Sequence, residues 1–369
     1  MLLSASFASV MSTIGYVLLA LLCLMAMVVV HEFGHYIAGK ILGFKIKEFA
    51  IGFGPRIIKI TNKKNGEIFS VRPFPLGGFC QFEGEDDEPE TEGSFNAQAP
   101  WKRLIVLFNG AFFNFLSAIL IITFVFTFYG QILPKVGHIA EESYLARETD
   151  LQEGDVILSV NNRQVNILMV NDLSNAFSRI GDDEGGYFTV LRDGQKKKIY
   201  VEKSDIYQRD ENNEIVLGEN GEPVTYRAFG FSLGLGYIKL DFFTAFGRAF
   251  GYSFFMVWKI LWSIGQLVTG AIKFTESAGG PITIISTMST AARDGVGTLA
   301  YIVCLISANL AVMNLLPLPA LDGSRMLFTV IEWIRKKPLN RKVEGIIHFV
   351  GLIVLFGIAV FADIFQLIK

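Results

Sequence analysis

Five consecutive residues, His31-Glu32-Phe33-Gly34-His35, form an HExxH arrangement. On a helix the two histidines are four positions apart and about 40° apart in projection, so both imidazoles can face one metal ion. Glu32 is offset by one residue and reaches an attacking water as general base. Zinc at such a site lowers the pKa of water to near 7 and polarises a scissile carbonyl. The chain holds only 4 histidines, and two of them make this pair beside a glutamate, which argues against two unrelated structural histidines. His138 and His348 stand alone and read as structural or exposed. A catalytic zinc needs a third protein ligand and an open position. Asp322 is the candidate. It is a lone acid at the end of the apolar stretch 314–323, where a carboxylate is expensive unless it is paired or bound to metal. Pro317 and Pro319 break the helix ahead of it and can turn it inward. The plainer alternative is an aspartate capping a helix end at the membrane interface.

The segments that must position these groups are apolar. Hydrophobic residues make up 51% of the 369-residue chain and charged residues 18%, with 33 Phe and a formal net charge of -2. Such a composition argues against disorder and against an ordinary cytosolic enzyme, and the charge gives no case for nucleic-acid binding. Cys23, Cys80 and Cys304 are irregularly spaced, so neither a disulfide framework nor a Cys-type zinc site is indicated. Four stretches lack charge for the roughly 20 residues that a span needs: one at 14–30 that runs straight into His31, then 104–129, 295–321 and 346–362. Residues 1–30 carry no Lys or Arg, so the first stretch reads as a retained span rather than a signal peptide.

Lys40, Lys45, Lys47, Arg56, Lys59, Lys63 and Lys64 follow the first span, and Arg325, Arg335, Lys336, Lys337, Arg341 and Lys342 lie between the third and fourth. Both loops therefore read as cytoplasmic. Both termini and the segment 131–240 then face the periplasm of a bacterium. A fifth apolar segment, 240–275, places Asp241, Arg248, Lys259, Gln266 and Lys273 within about 40° of one another on a helical projection, which suggests a helix lying in the interface. Depth supports that reading. Asp322 meets His31 and His35 only if an even number of crossings separates them, and a fifth span would put it on the wrong side.

Residues 56–61 and 67–72 read as strands joined at Asn65-Gly66, a strong hairpin signal, with a third short strand at 79–82. Their Gly-rich apolar flanks suggest a sheet dipping into the membrane, tolerated where backbone is buried in protein or lines a wet cavity. The acidic run 83–92 reads as solvated loop. Residues 151–161, Leu-Gln-Glu-Gly-Asp-Val-Ile-Leu-Ser-Val-Asn, resemble a PDZ signature, followed by a helix at 170–180 and strands at 188–192 and 196–201.

The pairing of HExxH at the end of an N-terminal span with Asn309, Asn314, Pro317, Pro319 and Asp322-Gly323 in a late span resembles the site-2 protease family of intramembrane zinc metalloproteases. The runs Ile51-Gly52-Phe53-Gly54-Pro55, Pro75-Leu76-Gly77-Gly78-Phe79 and Gly280-Pro281-Ile282, with the PDZ segment, look like its bacterial RseP-type branch. The resemblance covers nearly the whole chain. It implies a polytopic α-helical membrane protein with four transmembrane helices, a membrane-dipping β-sheet and one α+β periplasmic PDZ domain. The organisation expected is a first span with HExxH (1–43), the sheet and acidic cytoplasmic loop (44–100), a second span (101–130), the PDZ domain (131–236), an interfacial region (237–294), a third span (295–323), a basic cytoplasmic loop (324–345) and a fourth span (346–369). The implied activity is cleavage of single-span substrates, such as anti-sigma factors and remnant signal peptides, within the inner membrane. By the same resemblance His31, His35 and Asp322 would hold Zn2+ and Glu32 would be the general base. Asn309, Asn314, Pro317 and Pro319 would face substrate. Gly110 and Asn114 keep two positions of the family's Gly-Pro-x-x-Asn, here Gly110-Ala111-Phe112-Phe113-Asn114, and would also face substrate. There is room for one PDZ domain rather than a tandem pair, plus a polar insertion at 205–227. The rival readings are a catalytically dead membrane receptor, which has no need of Glu32, and a transporter, for which no inverted repeat is evident.

Overall fold

The structure, a computed structural model, describes residues 2–85, 92–169, 171–178, 180–181, 185–210, 214–273 and 279–368. Most of the expected acidic loop, residues 170 and 179 of the helix expected at 170–180, and residues 211–213 of the polar insertion are outside the described residues. The chain divides into two units, 1–122 with 256–369, and 123–255.

In the first unit, one helix, α1 (Leu2–Leu42), carries the HExxH motif without interruption. It stops where Gly43 takes φ +79 and the Phe44 N–H bonds back to the Gly39 carbonyl at 2.9 Å, a left-handed cap that glycine adopts freely. Four strands follow: β1 (Ile46–Phe53), β2 (Ile58–Thr61), β3 (Ile68–Val71) and β4 (Phe74–Phe82), in the order β2-β3-β1-β4. The expected hairpin is present, with Thr61 opposite Ile68 and Gly66 at φ +76 in the turn. β1 is an addition to the sequence reading. It runs parallel to β3 and antiparallel to β4. Its signal is masked by the buried Glu48 and by Gly52, which sits at φ +84 where a Cβ would lie 2.7 Å from the Arg72 carbonyl oxygen. Phe44, Ile46, Phe49, Cys80, Phe82, Phe95, Val106 and Leu107 form the core between the sheet and the helices.

Helix α2 (Pro100–Phe128) begins in this unit, and the unit closes with α6 (Pro281–Asp294), α7 (Val296–Leu315), α8 (Asp322–Arg335) and α9 (Arg341–Ile368). Among the described residues, four helices are long and apolar enough to cross a membrane: α1, α2, α7 and α9. The helix in the fifth apolar segment, α5 (Phe242–Thr269), is not one of them. Two boundaries differ from the sequence reading. α7 ends at Leu315, so Asp322 begins a separate helix instead of closing the third span. The segment expected as a basic loop, 324–345, is mostly the helix α8, whose polar and apolar residues alternate at helical spacing and bury Thr329 and Glu332.

The second unit is a sheet of order β12-β5-β6-β8-β9, built from β5 (Gln131–Ile139), β6 (Val156–Val160), β8 (Gly186–Arg192), β9 (Gln195–Val201) and β12 (Phe231–Ile238), with β7 (Arg163–Gln164) paired to β6. The helices α3 (Tyr144–Glu148) and α4 (Asn171–Phe177) complete its core around Val136, Leu145, Ile157, Phe188 and Val190. At the two ends of the polar insertion, β10 (Ser204–Tyr207) and β11 (Thr225–Ala228) pair as a two-stranded ribbon. Arg248 departs from the polar stripe assigned to the fifth segment. It is buried, donating to Gln131 Oε1 at 2.7 Å and to the carbonyls of Leu158 and Val165 at 2.9 and 2.8 Å. Burial pulls its pKa down to about 10. A lipid-facing projection missed this, because helical phase cannot tell a buried polar partner from water.

Candidate metal centre

α1 places His31 and His35 one turn apart, and both are buried. Asp322 arrives from a separate part of the chain. α7 ends in Leu316 with extended backbone, the segment 316–321 turns sharply, and Asp322 opens α8. Ala320 sits at φ +73, a region that costs a non-glycine residue free energy and persists only where the surroundings enforce it. Gly323 is required by the same turn, since a Cβ there would overlap the Leu316 carbonyl oxygen. The result is a convergence of three ligand-type side chains. His31 Nε2 is 3.0 Å and His35 Nε2 3.3 Å from Asp322 Oδ2, and the two Nε2 atoms are 3.2 Å apart. Among the described residues this is the one cluster of three metal-binding side chains.

The hydrogen bonds around the cluster set which ring nitrogens are free. His35 Nδ1 lies 2.8 Å from the Val106 carbonyl oxygen, which can only accept, so Nδ1 carries the proton and Nε2 a lone pair. His31 Nδ1 faces the Asn114 amide at 3.3 Å, and Asn114 Oδ1 is buried with no partner. An asparagine amide fits the same space with its oxygen and nitrogen exchanged. Turned over, Asn114 accepts the His31 Nδ1 proton, which satisfies the orphaned oxygen and leaves the His31 Nε2 lone pair facing the cluster. Two neutral imidazoles ligating through Nε2, each oriented by a hydrogen bond at Nδ1, together with one carboxylate, are a donor set that fits zinc. Two lone pairs and an anionic oxygen in van der Waals contact repel one another unless a cation or protons lie between them.

Glu32 lies on the neighbouring position of the same helix turn, and its Oε2 accepts the Cys80 N–H of β4 at 2.9 Å. Gly110 packs α2 against the imidazoles: a Cβ there would overlap His35 Nε2 and lie 2.8 Å from His31 Cε1. Asn114 is fully buried. Both residues, expected on the substrate side, thus face the histidines. Asn314 is half-buried with Nδ2 3.5 Å from His31 Nδ1, at the limit of a hydrogen bond, so its amide is free to turn. Asn309 and Pro317 are exposed, and Pro319 is half-buried. Several contributors escaped the sequence reading. Gly34 lets α2 approach, since a Cβ there would overlap the Asn109 carbonyl oxygen. Ser117 and Ser307 bond to each other at 2.8 Å, and Ser307 Oγ donates to the Asn114 carbonyl at 2.9 Å. The small residue within the HExxH motif is the one signal that pointed to this crossing.

The sequence pattern of peptidase family M50 matches residues 19–358. The chain belongs to that family. Relatives of this M50 peptidase include a candidate zinc metalloprotease of Clostridium perfringens, 29% identical over 96% of this chain and 98% of its own length. A second such protein, from Nostoc sp., is 30% identical over 94% of each chain. A third, from Helicobacter pylori, is 30% identical over 95% of this chain and 99% of its own. The M50 chain is a zinc-dependent metallopeptidase of the site-2 protease family, and its four apolar helices make it a membrane protein.

Proposed function

We propose that this M50 peptidase cuts peptide bonds within the spans of single-span membrane proteins, anti-sigma factors and remnant signal peptides among them, in a bacterial inner membrane. The observation that carries this reading is the meeting of His31, His35 and Asp322 beside Glu32, about two to three turns before α1 ends and just past the end of α7. In this reading His31, His35 and Asp322 hold the metal. Bound zinc acidifies water and polarises the scissile carbonyl. Glu32, held by the Cys80 N–H, takes the proton of the attacking water and passes it to the leaving amine. Gly110 lets α2 approach the imidazoles, and the Val106 carbonyl and Asn114 keep His35 and His31 in their ligating tautomers. Asn314, whose amide is not committed, donates to the substrate carbonyl, and Asn309, Pro317 and Pro319 line its approach. The Lys/Arg content of the segments that flank the spans supports a cytoplasmic position for this end of the helices, with both termini and the domain 131–236 in the periplasm and the apolar face of α5 against lipid.

A substrate helix must unwind before it is cut, because its carbonyls are bonded and its backbone is wrapped by side chains. Each freed backbone group costs several kcal/mol in lipid unless a partner replaces it. β4 is the last strand of its sheet, so its outer edge offers such partners. The domain 131–236 is read as PDZ-type on a separate observation. Its last strand, β12, is an edge strand beside a cavity of about 750 Å³ lined by Phe177, Ile206, Phe229 and Phe231 together with Glu142 and Arg209, suited to an extended segment. The test is co-expression with a panel of single-span proteins, comparing wild type with Glu32→Gln. Wild type is expected to release fragments cut within the span, faster when Gly, Pro or Asn lies near the bond than when all are Leu. Equal fragments from the Glu32→Gln enzyme would overturn the proposal.

A further inference from the structure

α9 touches the turn that delivers Asp322 at two points one helical turn apart. The first is His348. Its Nδ1 lies 3.1 Å from the Ala320 backbone nitrogen. That N–H can only donate, so Nδ1 accepts and the ring proton sits on Nε2, 3.9 Å from Glu344 Oε1. The ring is fixed from the other side by an edge-to-face contact with Phe328, centroids 5.6 Å apart. The second point is Gly351. A Cβ there would overlap the Cβ of Pro319 and lie 3.1 Å from its Cα, so α9 and the turn are in backbone contact. Ala320, the residue bonded at the first point, has φ +73.

The other bonds of the turn are local. Leu318 N–H donates to the Leu316 carbonyl, Leu321 N–H to the Leu318 carbonyl, and Ser324 N–H to the Leu321 carbonyl. Local bonds of this kind leave the turn free to move as a unit. His348 supplies a bond from another helix, at Ala320, the residue of the 316–321 turn that has positive φ. A shift of the 319–320 peptide moves Asp322, two residues on, away from His31 and His35.

We propose that His348 is a positioning residue of this peptidase, which fixes the 319–320 peptide through Nδ1 and thereby aims the Asp322 carboxylate at the two histidines. The inference rests on Asp322 being a metal ligand, as set out above. It assigns to the last helix a part in the metal centre, exerted through the backbone of residues 319–320.

The test uses the full-length, zinc-loaded protein in detergent micelles, with two readouts: the half-time of zinc loss to a chelator, and kcat and KM on a cleavable single-span substrate. His348→Phe keeps a ring but has no acceptor. It is expected to lose zinc at least tenfold faster, with kcat down at least tenfold and KM within twofold of wild type. His348→Asn restores an oxygen acceptor close to the position of Nδ1 and is expected to return both readouts to within threefold of wild type. Gly351→Ala, which pushes the same peptide, is expected to behave as His348→Phe. A folded His348→Asn no better than His348→Phe overturns the proposal, and so does wild-type zinc retention by His348→Phe. If His348→Phe does not fold, zinc retention by His348→Asn decides alone: retention supports the proposal, and rapid loss from folded protein overturns it. Asp322→Ala separates the two layers of argument. Rapid zinc loss there with tight zinc in His348→Phe overturns the positioning role only, whereas tight zinc in Asp322→Ala overturns the ligand assignment beneath it.

Discussion

Two clusters of buried charge in the first unit differ in one respect. At Glu48, on β1, the carboxylate is 2% exposed and every contact is a donor. Arg56 Nε lies at 3.1 Å with its Nη2 on the second oxygen, Ser70 Oγ is at 2.6 Å and Arg72 Nη2 at 2.7 Å. At His31, His35 and Asp322 the converging atoms are acceptors. The Glu48 cluster is complete within the chain, and its arginines hold the Glu48 carboxyl down at about 2. The histidine–aspartate cluster needs a cation or added protons between its atoms. Burial of charge by itself therefore does not mark a functional site. A buried group whose neighbours already match it is structural, while one whose neighbours are of its own kind is arranged for something else.

That contrast is broken or sharpened by four measurements, the largest effect first. Asp322→Ala removes one of three ligands, and metal analysis of the purified protein is expected to fall from one zinc per chain toward none, with activity lost. Full zinc in that variant would place Asp322 with Glu48, as a structural carboxylate. Glu32→Gln is expected to lower the cleavage rate by about 10²–10⁴-fold while zinc content and thermal unfolding stay as in wild type; the near-isosteric amide still binds the Cys80 N–H through its oxygen but takes no proton. Glu48→Gln is expected to show the reverse pattern, with full zinc and a loss of about 1–3 kcal/mol in unfolding free energy, because two arginines lose their ionised acceptor and the amide NH2 faces donors where a carboxylate oxygen accepted. Zinc loss from a folded Glu48→Gln protein would merge the two clusters into one.

The smallest effect is the pH dependence of that stability difference. The folded pKa of Glu48 lies below its unfolded value of about 4.3, so its contribution is fully present above the unfolded value. It is lost as pH falls toward the folded value of about 2. The gap in unfolding temperature between wild type and Glu48→Gln is therefore expected to be constant above pH 5 and to narrow as pH drops from there. A gap that did not narrow would mean that charge plays no part in the Glu48 cluster.

Much of the histidine–aspartate cluster is legible in the sequence. HExxH has a local periodicity that only a helix satisfies, and hydrophobic length alone shows four helices fit to cross a membrane. The parity of crossings then ties Asp322 to His31 and His35, and Pro317 and Pro319 announce the turn. None of the Glu48 cluster is legible in the same way. Glu48 sits in a strand that reads as broken by its own charge and by Gly52, and its partners Arg56 and Arg72 stand at the ends of the two expected strands, with nothing in the sequence to join them to Glu48. Arg248 is misplaced by a helical projection for the same reason, being matched by backbone carbonyls that leave no trace in a sequence. The helix α8 replaces an expected basic loop because its polar positions find partners, as Glu332 does with Arg103 at 2.7 Å, far away in the chain.

The sequence by itself determined what is local and repetitive: the donor types, their spacing on one helix turn, the apolar lengths and the turn at Asn65-Gly66. These depend on covalent geometry and on the transfer of side chains between water and hydrocarbon, both of which act residue by residue. Only the tertiary structure decided which lone pairs face which protons. The Nδ1 contacts of His31 and His35, the close approach allowed by Gly34 and Gly110, and the bond from His348 to Ala320 join residues tens of positions apart. Such contacts are set by distances of a few tenths of an ångström between packed helices, and a chain encodes them only through the whole fold.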